Sequence, residues 1–375
     1  MRRHLKNPFL LTAYFGREYF CDREKELLVL ENHFKNERNV VLYAWRRMGK
    51  TALIQCFLAE LESQKKAETV YVDLLGTRNL EDAILQITKA IYQRFVKIGS
   101  GMSAALLKLI GAVGLDISFD AQTGMPVLSL GLKQTNTHTA QSLEALGAFL
   151  QSRKKTVLIA LDEFQRIIHY ENQNGEAVFR AWMQQFPDIR FIFSGSHRNM
   201  MQSMFTEKNR PFYQSAQLLH LEPIKYEVYE AFILQHFNAH QKKITSDTIE
   251  GIYRWSRQQT YVIQLLCNRL FGMYNTVEKR QLQEVCDDIL KEESAVFSNY
   301  TNLLTHTQWR VLQAVAKDEP LKMPLAVDFI KKYSLGAGSS VSRALNKLID
   351  TELVIKEEDD YLVHEVLLAR WLQSL

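Results

Sequence analysis

The sequence has 375 residues, which is enough for two or three domains that each bury a core. Apolar residues make up 46% of the chain and charged residues 23%, so a disordered, collagen-like or coiled-coil protein is disfavoured. Lysine and arginine number 46 against 42 acids, and the resulting net charge of +4 is too small to indicate nucleic-acid binding by itself.

Cysteine spacing and hydropathy bear on the compartment. The four cysteines are far apart and form no CxxC pair, so neither a zinc site nor a disulfide framework is expected. The most apolar stretch of the chain, if glycines are allowed, is 104–115. It contains Lys108 and is shorter than the ~20 residues that a membrane-spanning helix needs. We therefore predict a cytoplasmic protein without a membrane span.

Short apolar runs alternate with helical patterns over the first 220 residues. The runs typical of strands lie at 39–43, 69–75, 156–161 and 190–193. Patterns typical of helices separate them, at 51–61, 80–95, 142–151 and 176–185. Nearly continuous apolar strands are typical of a parallel sheet covered on both faces. The pattern predicts an α/β fold, a parallel sheet with helices on both faces.

Changes of pattern along the chain predict the domain boundaries. Within the first part, residues 117–131 are typical of a β-hairpin inserted beside a helix. The pattern becomes wholly helical after residue 222 and changes again near residue 296. We predict an α/β core at 1–222, a helical domain at 223–295 and a C-terminal domain at 296–375.

The segment between the first strand and the first helix matches the phosphate-binding loop G-x-x-x-x-G-K-[ST] except at its first position, where Ala44 replaces glycine. The loop amides and the helix N-terminus would stabilise a polyphosphate. Lys50 would reach the β and γ phosphates, and the Thr51 hydroxyl would complete the shell of Mg²⁺. A chance GKT at a helix start is the alternative. The predicted nucleotide-binding loop residues are Ala44, Trp45, Arg46, Arg47, Met48, Gly49, Lys50, Thr51 and Ala52.

Replacing the first glycine of this loop has a predicted cost. If the glycine of the motif adopts a backbone dihedral that other residues disfavour, alanine at position 44 is strained by on the order of 1 kcal/mol. Such a cost would weaken nucleotide binding without abolishing it.

Two adjacent acids, Asp162 and Glu163, follow the strand at 156–161. Because neighbouring strand side chains point in different directions, Asp162 could hold Mg²⁺ while Glu163 orients and polarises a water molecule for attack on the γ-phosphorus. The next strand ends in small hydroxyl residues, among them Ser196, whose hydroxyl could hydrogen-bond that water or the γ-phosphate. The alternatives are two solvated surface acids and a serine turn after a buried strand.

With these motifs the chain resembles an AAA+-related P-loop ATPase of the archaeal-ATPase type, close to the signal-transduction (STAND) ATPases. Segment 20–26 is similar to the hhGRxxE box of that family, which lies near the adenine; Asp22 stands at its glycine and Arg23 at its arginine. The two loop arginines, Arg46 and Arg47, are also common in the family. The resemblance covers nearly the whole chain and implies ATP and Mg²⁺ as cofactors, with the acid pair as Walker B and the serine-bearing strand as sensor 1.

Two departures from the family pattern concern arginines that assist hydrolysis. Ser215 stands where the family often has an arginine before the lid, so Arg210 or Arg198 would have to substitute, and we take Arg210 as the catalytic candidate. A lid motif with glycine and proline is also missing, which leaves Arg254 and Arg257 as the nearest cations. The residues therefore support nucleotide binding better than fast hydrolysis.

The C-terminal domain is predicted to contain helices at 305–316, 325–333 and 339–349, followed by a hairpin turning at 356–360. Three helices and a hairpin resemble a winged helix, the usual C-terminal partner in this family. The third helix of a winged helix normally reads the DNA major groove. The polar side chains on its outer face here are Ser340, Ser342, Arg343, Asn346 and Lys347.

The charge of this domain argues against strong phosphate contacts. Residues 296–375 carry nine lysines and arginines against ten acids, and four of the acids lie in a row at 357–360, the wing tip. Sequence-independent DNA affinity needs neutralised phosphates, which these acids would repel. Duplex binding and a protein-contact or self-inhibitory role both stay open.

These observations predict an ATP-dependent switch with slow Mg²⁺-dependent hydrolysis, in which bound ATP changes the packing of lid and winged helix. The alternatives are an ATP-controlled DNA-binding protein similar to origin-recognition initiators, and a nucleotide-stabilised scaffold that does not hydrolyse ATP. The expected partners are ATP and ADP, a protein bound through the winged helix and, with weaker support, double-stranded DNA. Nucleotide-dependent self-association is also expected.

Overall fold

The computed structural model describes residues 5–12, 14–95, 115–119, 126–130, 136–171 and 174–375. The chain divides into two units, which are described separately. The first unit is Ala13–Pro223, and the second is Met1–Thr12 together with Ile224–Leu375. Among the described residues, no helix is both long enough and apolar enough to cross a membrane.

The first unit contains a parallel β-sheet. Its described strands are β1 (Val40–Tyr43), β2 (Glu68–Asp73), β3 (Leu115–Phe119), β4 (Pro126–Leu130), β5 (Val157–Asp162), β6 (Arg190–Gly195) and β7 (Gln217–His220). Five of them form one parallel sheet in the order β2-β5-β6-β1-β7. Strands β3 and β4 pair antiparallel as a separate hairpin, and residues 120–125 and 131 lie outside the described residues.

Helices cover both faces of this sheet. They are α1 (Glu24–Lys35), α2 (Lys50–Ser63), α3 (Leu80–Phe95), α4 (Asn136–Gln151), α5 (Gly175–Gln185) and α6 (Arg198–Thr206). One apolar cluster joins a sheet face to α1 and α2, and a second joins the other face to α3, α4, α5 and α6. The predicted α/β class, a parallel sheet with helices on both faces, is confirmed.

Burial explains which strands the sequence pattern reveals. Every residue of β1, β5 and β6 is buried, so these strands are apolar on both faces and stand out as continuous apolar runs. Strand β7 forms an edge of the sheet and is only partly covered, with Leu218 40% exposed. An exposed four-residue edge strand leaves no such run, and the sequence analysis missed it.

The second unit is mainly helical. Its helices are α7 (Tyr226–Ala239), α8 (Ser246–Trp255), α9 (Thr260–Met273), α10 (Lys279–Ser298), α11 (Tyr300–Leu303), α12 (His306–Lys317), α13 (Val327–Lys332), α14 (Gly338–Asp350) and α15 (Val366–Ser374). The segment expected to be wholly helical also contains two short strands, β8 (Lys243–Ile244) and β9 (Thr276–Val277), which pair in parallel. Two-residue strands are too short to change the helical periodicity of the sequence.

The C-terminal part of this unit has the predicted winged-helix elements. After α12, α13 and α14, the antiparallel strands β10 (Val354–Glu357) and β11 (Asp360–Val363) form the wing. Helix α15 follows the wing and was not predicted. It packs on α10 and α12, and Leu367, Leu368 and Leu372 are buried.

The N-terminal segment belongs to the second unit, although the sequence analysis placed residues 1–222 in one domain. Phe9 is 1% exposed and contacts the aromatic rings of Phe237 and Phe271. The side chain of Asn7 donates to the Asn268 carbonyl, and the Asn268 side chain donates to the Phe9 carbonyl. These contacts join two segments that are far apart in the sequence, which a reading of local patterns does not detect.

An ion pair between a half-buried arginine and a buried carboxylate joins the helical part of this unit to the winged helix. Arg257 lies between α8 and α9, and its guanidinium donates to the Glu319 carboxylate at 3.1 Å and to the Val363 carbonyl at 2.6 Å. The Val363 amide donates to the same carboxylate at 2.6 Å. We call these three residues the Arg257 junction.

Candidate functional site

The loop between β1 and α2 lies at the carboxyl edge of the sheet. Two of its residues have left-handed backbone conformations, Arg47 with φ +66° and Gly49 with φ +90°. Ala44 is buried and is not left-handed, so the strain expected from replacing the first glycine is not present there. Helix α2 begins at Lys50, which directs the free amides of its first turn towards the loop.

The side chains of this loop divide into exposed and buried groups. Arg46 and Arg47 are exposed, Trp45 is half-buried against the apolar cluster of α1 and α2, and Met48 is buried in that cluster. Ala52 is half-buried in the first turn of α2. Both arginines are therefore exposed to a ligand that approaches the loop from solvent.

Lys50 is buried within its own loop. Its side chain is 5% exposed, and Nζ donates to the carbonyl oxygens of Ala44 and Trp45 at 3.0 Å each. Burial lowers the pKa of Lys50 to about 8, although the nearby carboxylates of Glu163 and Asp162 favour the charged form. The loop thus holds a buried ammonium group whose hydrogen-bond partners are neutral carbonyls.

Asp162, the last residue of β5, is linked to this loop. Its Oδ2 accepts hydrogen bonds from the Thr51 hydroxyl at 2.7 Å and from the Tyr71 hydroxyl at 2.8 Å, while Oδ1 accepts from the Glu163 amide at 3.0 Å. The Asp162 side chain is buried, and burial beside this carboxylate raises the pKa of Tyr71. The structure therefore brings Thr51 and Asp162 together, as the sequence analysis predicted for a shared metal ion.

The donors around Asp162 fit Mg²⁺. A carboxylate and a hydroxyl are the hard oxygen ligands that this ion takes from proteins, together with waters and substrate phosphates. Within the described ranges, no group of three or more histidine, cysteine, aspartate or glutamate side chains could hold a metal. Two protein oxygens at a phosphate-binding loop match the sparse protein ligation of Mg²⁺.

Glu163 has a different set of partners from Asp162. It has a left-handed backbone with φ +54°, and its Oε2 accepts a hydrogen bond from the Ser196 hydroxyl at 2.7 Å. The Gln165 side-chain amide donates to the same oxygen and lies 3.4 Å from the Ser196 hydroxyl. We call Gln165 and Ser196 the Glu163 clamp. Ser196, chosen from the sequence as a partner of water or phosphate, contacts the second acid.

A glycine makes room for this clamp. A Cβ at Gly195 would lie 2.4 Å from the Gln165 side-chain oxygen and equally close to Met201. A larger residue at 195 would require the ends of the Gln165 and Met201 side chains to shift.

The sequence analysis missed Gln165 and Tyr71. Gln165 is a buried polar side chain beside the buried Phe164 and Ile167, and the sequence itself gives only a weak signal for its hydrogen-bonded role. Tyr71 occupies an ordinary strand position, and only its pairing with β5 brings it near Asp162. Such pairing is a long-range property that no local pattern contains.

Arg23 of the N-terminal box is buried against the loop. Its guanidinium pairs with Glu26, donates to the Glu222 carbonyl at 2.7 Å and lies 3.4 Å from the Met48 carbonyl. Asp22 has φ +58°, so the position that is glycine in the family pattern is left-handed here. Aspartate is one of the few residues that tolerate this conformation, which explains how the box forms without glycine.

Arg210 contacts neither the loop nor the acid pair. Its guanidinium forms an ion pair with Glu176 and donates to the Ser203 hydroxyl at 3.1 Å. Of the other candidate cations, Arg254 pairs with Glu250 on the surface of α8, and Arg257 pairs with Glu319 in the junction. The partners of Arg210 favour a structural role, and its catalytic role stays a prediction.

The chain matches two known families. Residues 20–266 match the family described as ATPase domain predominantly from Archaea, and residues 295–374 match a family described as probable winged helix domain. No curated protein sequence matches the chain.

Solved structures show the same fold at low sequence identity. The Walker-type ATPase of Pyrococcus abyssi is 17% identical, with a TM-score of 0.66 over 98% of this chain and 99% of that one. The ORC2 protein of Aeropyrum pernix, in ADPNP–ADP complexes, is 14% identical, with a TM-score of 0.61 over 98% and 95%. The ORC1 protein of Aeropyrum pernix, in complex with DNA, is 12% identical, with a TM-score of 0.54 over 98% and 96%.

The family follows from the archaeal ATPase match, which spans more than half of the chain. The similar structures cover nearly all of the chain and show the same fold. The protein belongs to the family of ATPase domains found predominantly in Archaea, and it carries a winged-helix domain at its C-terminus.

Proposed function

We propose that the protein binds ATP with Mg²⁺ at the loop of residues 44–52 and hydrolyses it slowly, so that the bound nucleotide acts as a switch. One observation carries the proposal. At the carboxyl edge of the parallel sheet, Lys50 and Thr51, the first residues of α2, lie close to the two acids Asp162 and Glu163. This edge is where open α/β sheets bind their ligands.

The loop residues would hold the triphosphate. The free amides at the start of α2 would donate to phosphate oxygens, and Lys50 would exchange its two carbonyl partners for the β and γ phosphates. Arg46 and Arg47 are exposed and would face the phosphates from solvent. Arg23 would support the loop through the Met48 carbonyl, near the adenine.

Thr51 and Asp162 would hold the metal ion. The Thr51 hydroxyl would turn from Asp162 to the ion, and the Asp162 carboxylate would bind the ion directly or through water. Bound Mg²⁺ supplies charge neutralisation and polarises the terminal phosphoryl group.

The Glu163 clamp supports slow hydrolysis. Glu163 would orient and polarise the attacking water, but its Oε2 already accepts hydrogen bonds from Ser196 and Gln165. Water activation at this oxygen requires one of these bonds to exchange, which adds a barrier to the chemical step by that route. A nucleotide that persists before hydrolysis is suited to a switch.

Phosphate release by the purified protein tests the proposal. We expect slow, Mg²⁺-dependent release that is lost in Glu163→Gln, because the amide cannot act as the base. Glu171→Gln changes an exposed acid of the same unit and is the matched control. Turnover that survives in Glu163→Gln would contradict the assigned role of Glu163. No turnover in the wild type would favour the non-hydrolysing scaffold.

We further propose that ATP acts across the three predicted parts of the chain, a core within 1–222, a helical lid at 223–295 and a winged helix at 296–375, with residues 1–12 grouped with the second unit rather than with the core. Protein binding through the winged helix, nucleotide-dependent self-association and a cytoplasmic location stay predictions. The lid and the winged helix lie in a different compact unit from the loop of residues 44–52, which supports treating them as parts distinct from the nucleotide site.

DNA binding is a second candidate function. It is favoured by the winged-helix match and by the exposed residues Arg343, Asn346 and Lys347 on α14. The acidic wing tip opposes it. A salt titration of duplex affinity, with and without ATP, tests it, since phosphate contacts give a steep loss of affinity with salt. A flat salt dependence would exclude phosphate-mediated binding.

A further inference from the structure

Tyr71 is placed beside the proposed metal ligand by the register of two strands. Strand β2 pairs in parallel with β5, so that Tyr71 lies opposite Ala160 and Asp73 lies opposite Asp162. Register partners in a sheet project from the same face, and residues two apart share that face. Because Ala160 carries only a methyl group, its side chain leaves room for the phenol to extend along the strands towards Asp162.

The Tyr71 hydroxyl bonds to one oxygen of the carboxylate. It donates to Asp162 Oδ2 at 2.8 Å, the same oxygen that accepts the Thr51 hydroxyl at 2.7 Å. The other oxygen, Oδ1, accepts the Glu163 amide at 3.0 Å. Two of these three donors come from the loop helix and the strand end, and the third comes from the neighbouring strand.

The roles of these donors differ once a metal is bound. In the proposed function the Thr51 hydroxyl leaves Asp162 to become a metal ligand itself. The phenol has no such second role, so its hydrogen bond continues to fix the carboxylate. Outer groups of this kind orient metal ligands, and removing them typically lowers metal affinity by about 10- to 100-fold.

We propose that Tyr71 is a positioning residue that orients the Asp162 carboxylate towards the divalent ion of the bound nucleotide. The inference rests on the proposed function of this site. It assigns to β2 a contribution to metal binding that does not involve touching the metal or the phosphates.

Metal binding to the full-length protein tests this role directly. With Mn²⁺ as the probe, followed by electron paramagnetic resonance in the presence of ATP, Tyr71→Phe should bind the metal about tenfold more weakly than the wild type. ATP affinity measured without metal should stay within about twofold, because the loop and Lys50 are unchanged. Tyr170→Phe is the matched control, since it removes a buried tyrosine hydroxyl that bonds to Thr77 in the same unit.

A double-mutant cycle separates positioning from general damage to the fold. If Tyr71 acts through Asp162, Tyr71→Phe should have no further effect on Mn²⁺ affinity in an Asp162→Asn background. Additive effects, an unchanged Mn²⁺ affinity, or an equal loss of metal-free ATP affinity would each overturn the inference. A wild type that binds no ATP with metal overturns the proposed function as well, whereas an unaffected Tyr71→Phe in a binding-competent protein overturns only the role of Tyr71.

Discussion

The phosphate-binding loop and the Arg257 junction each hold a cation that is largely withdrawn from solvent, and the two cations have different partners. Lys50 is 5% exposed and its ammonium donates to two neutral carbonyls. Arg257 donates to the buried carboxylate of Glu319 and to a carbonyl. Burying charge in protein is unfavourable unless an opposite charge or good hydrogen bonds compensate it. In the proposed function Lys50 would therefore pair with an anionic ligand, whereas Arg257 already has an anionic partner.

The same comparison helps to distinguish cations that could bind a ligand from cations with a structural role. An arginine that exchanges a protein partner for a nucleotide must be able to leave that partner. If Arg257 left Glu319, the buried carboxylate would lose its counter-charge, which favours a structural role for Arg257. Burial raises the pKa of Glu319, with Arg257 opposing the shift, which indicates how strongly this carboxylate depends on its partner.

The largest expected effect is the loss of the junction. Glu319→Ala should lower the free energy of unfolding of the second unit by about 3 kcal/mol, because the largely buried guanidinium of Arg257 is left without a counter-charge. Chemical denaturation followed by fluorescence measures it. Glu250→Ala, which breaks the exposed pair with Arg254, is the control and should change stability by less than about 1 kcal/mol.

Replacing both members of the junction sharpens the same test. Arg257→Met combined with Glu319→Leu removes both charges and should recover most of the stability lost in the single variant. A single Glu319→Ala variant as stable as the wild type would show that the junction carries no structural role.

The pH dependence of stability should distinguish Lys50 from other lysines. Burial lowers its pKa to about 8, from about 10.5 in the unfolded chain, so the unfolded state binds more protons between these values. The nucleotide-free wild type should therefore gain up to about 3 kcal/mol relative to Lys50→Met as the pH rises from 8 to 10.5. Denaturation curves of both proteins at each pH measure this difference. If the stability difference between the two proteins did not change with pH, the lowered pKa of Lys50 would be contradicted.

Much of the site follows from the sequence, and the remainder depends on long-range packing. Lys50 and Thr51 lie in a local sequence motif and Asp162 ends an apolar run, so the sequence identifies all three residues. The order of the strands in the sheet then brings them together. The hydrogen-bond partners are distant in the sequence. Tyr71 bonds to Asp162 from the adjacent strand, and Gln165, which follows β5, lies 3.4 Å from the hydroxyl of Ser196, which follows β6. Local periodicity reports which face is buried, but not which side chains meet.

The fold shows the same division. Fully buried strands and amphipathic helices were predictable because burial on both faces or on one face leaves a period in the sequence. Strand β7, the short strands β8 and β9, and helix α15 were not predicted. The attachment of Phe9 to the second unit also escaped, because its partners Phe237 and Phe271 are more than two hundred residues away.

A variant of Arg210 tests whether this residue has a structural or a catalytic role. Arg210→Gln should destabilise the first unit by about 1–2 kcal/mol through its pair with Glu176, and leave ATP turnover within about twofold of the wild type. Thermal unfolding and phosphate release measure the two effects. A loss of turnover with unchanged stability would instead support the catalytic role that the sequence predicts.

The smallest expected effect concerns the Glu163 clamp. Gln165→Met removes one of two donors to Glu163 Oε2 and keeps the side-chain volume. Freeing that oxygen should raise basal turnover about fivefold, which corresponds to about 1 kcal/mol. Phosphate release at saturating ATP measures it. A fall in turnover would show that Gln165 assists the reaction rather than restraining it.

Calorimetric titration of ATP with Mg²⁺ tests the central claim most directly. The wild type should bind, Lys50→Ala should bind about a hundredfold more weakly, and Lys66→Ala, which changes a lysine paired with Glu31 on the surface of the same unit, should bind like the wild type. Equal affinity of the wild type and Lys50→Ala would contradict the account.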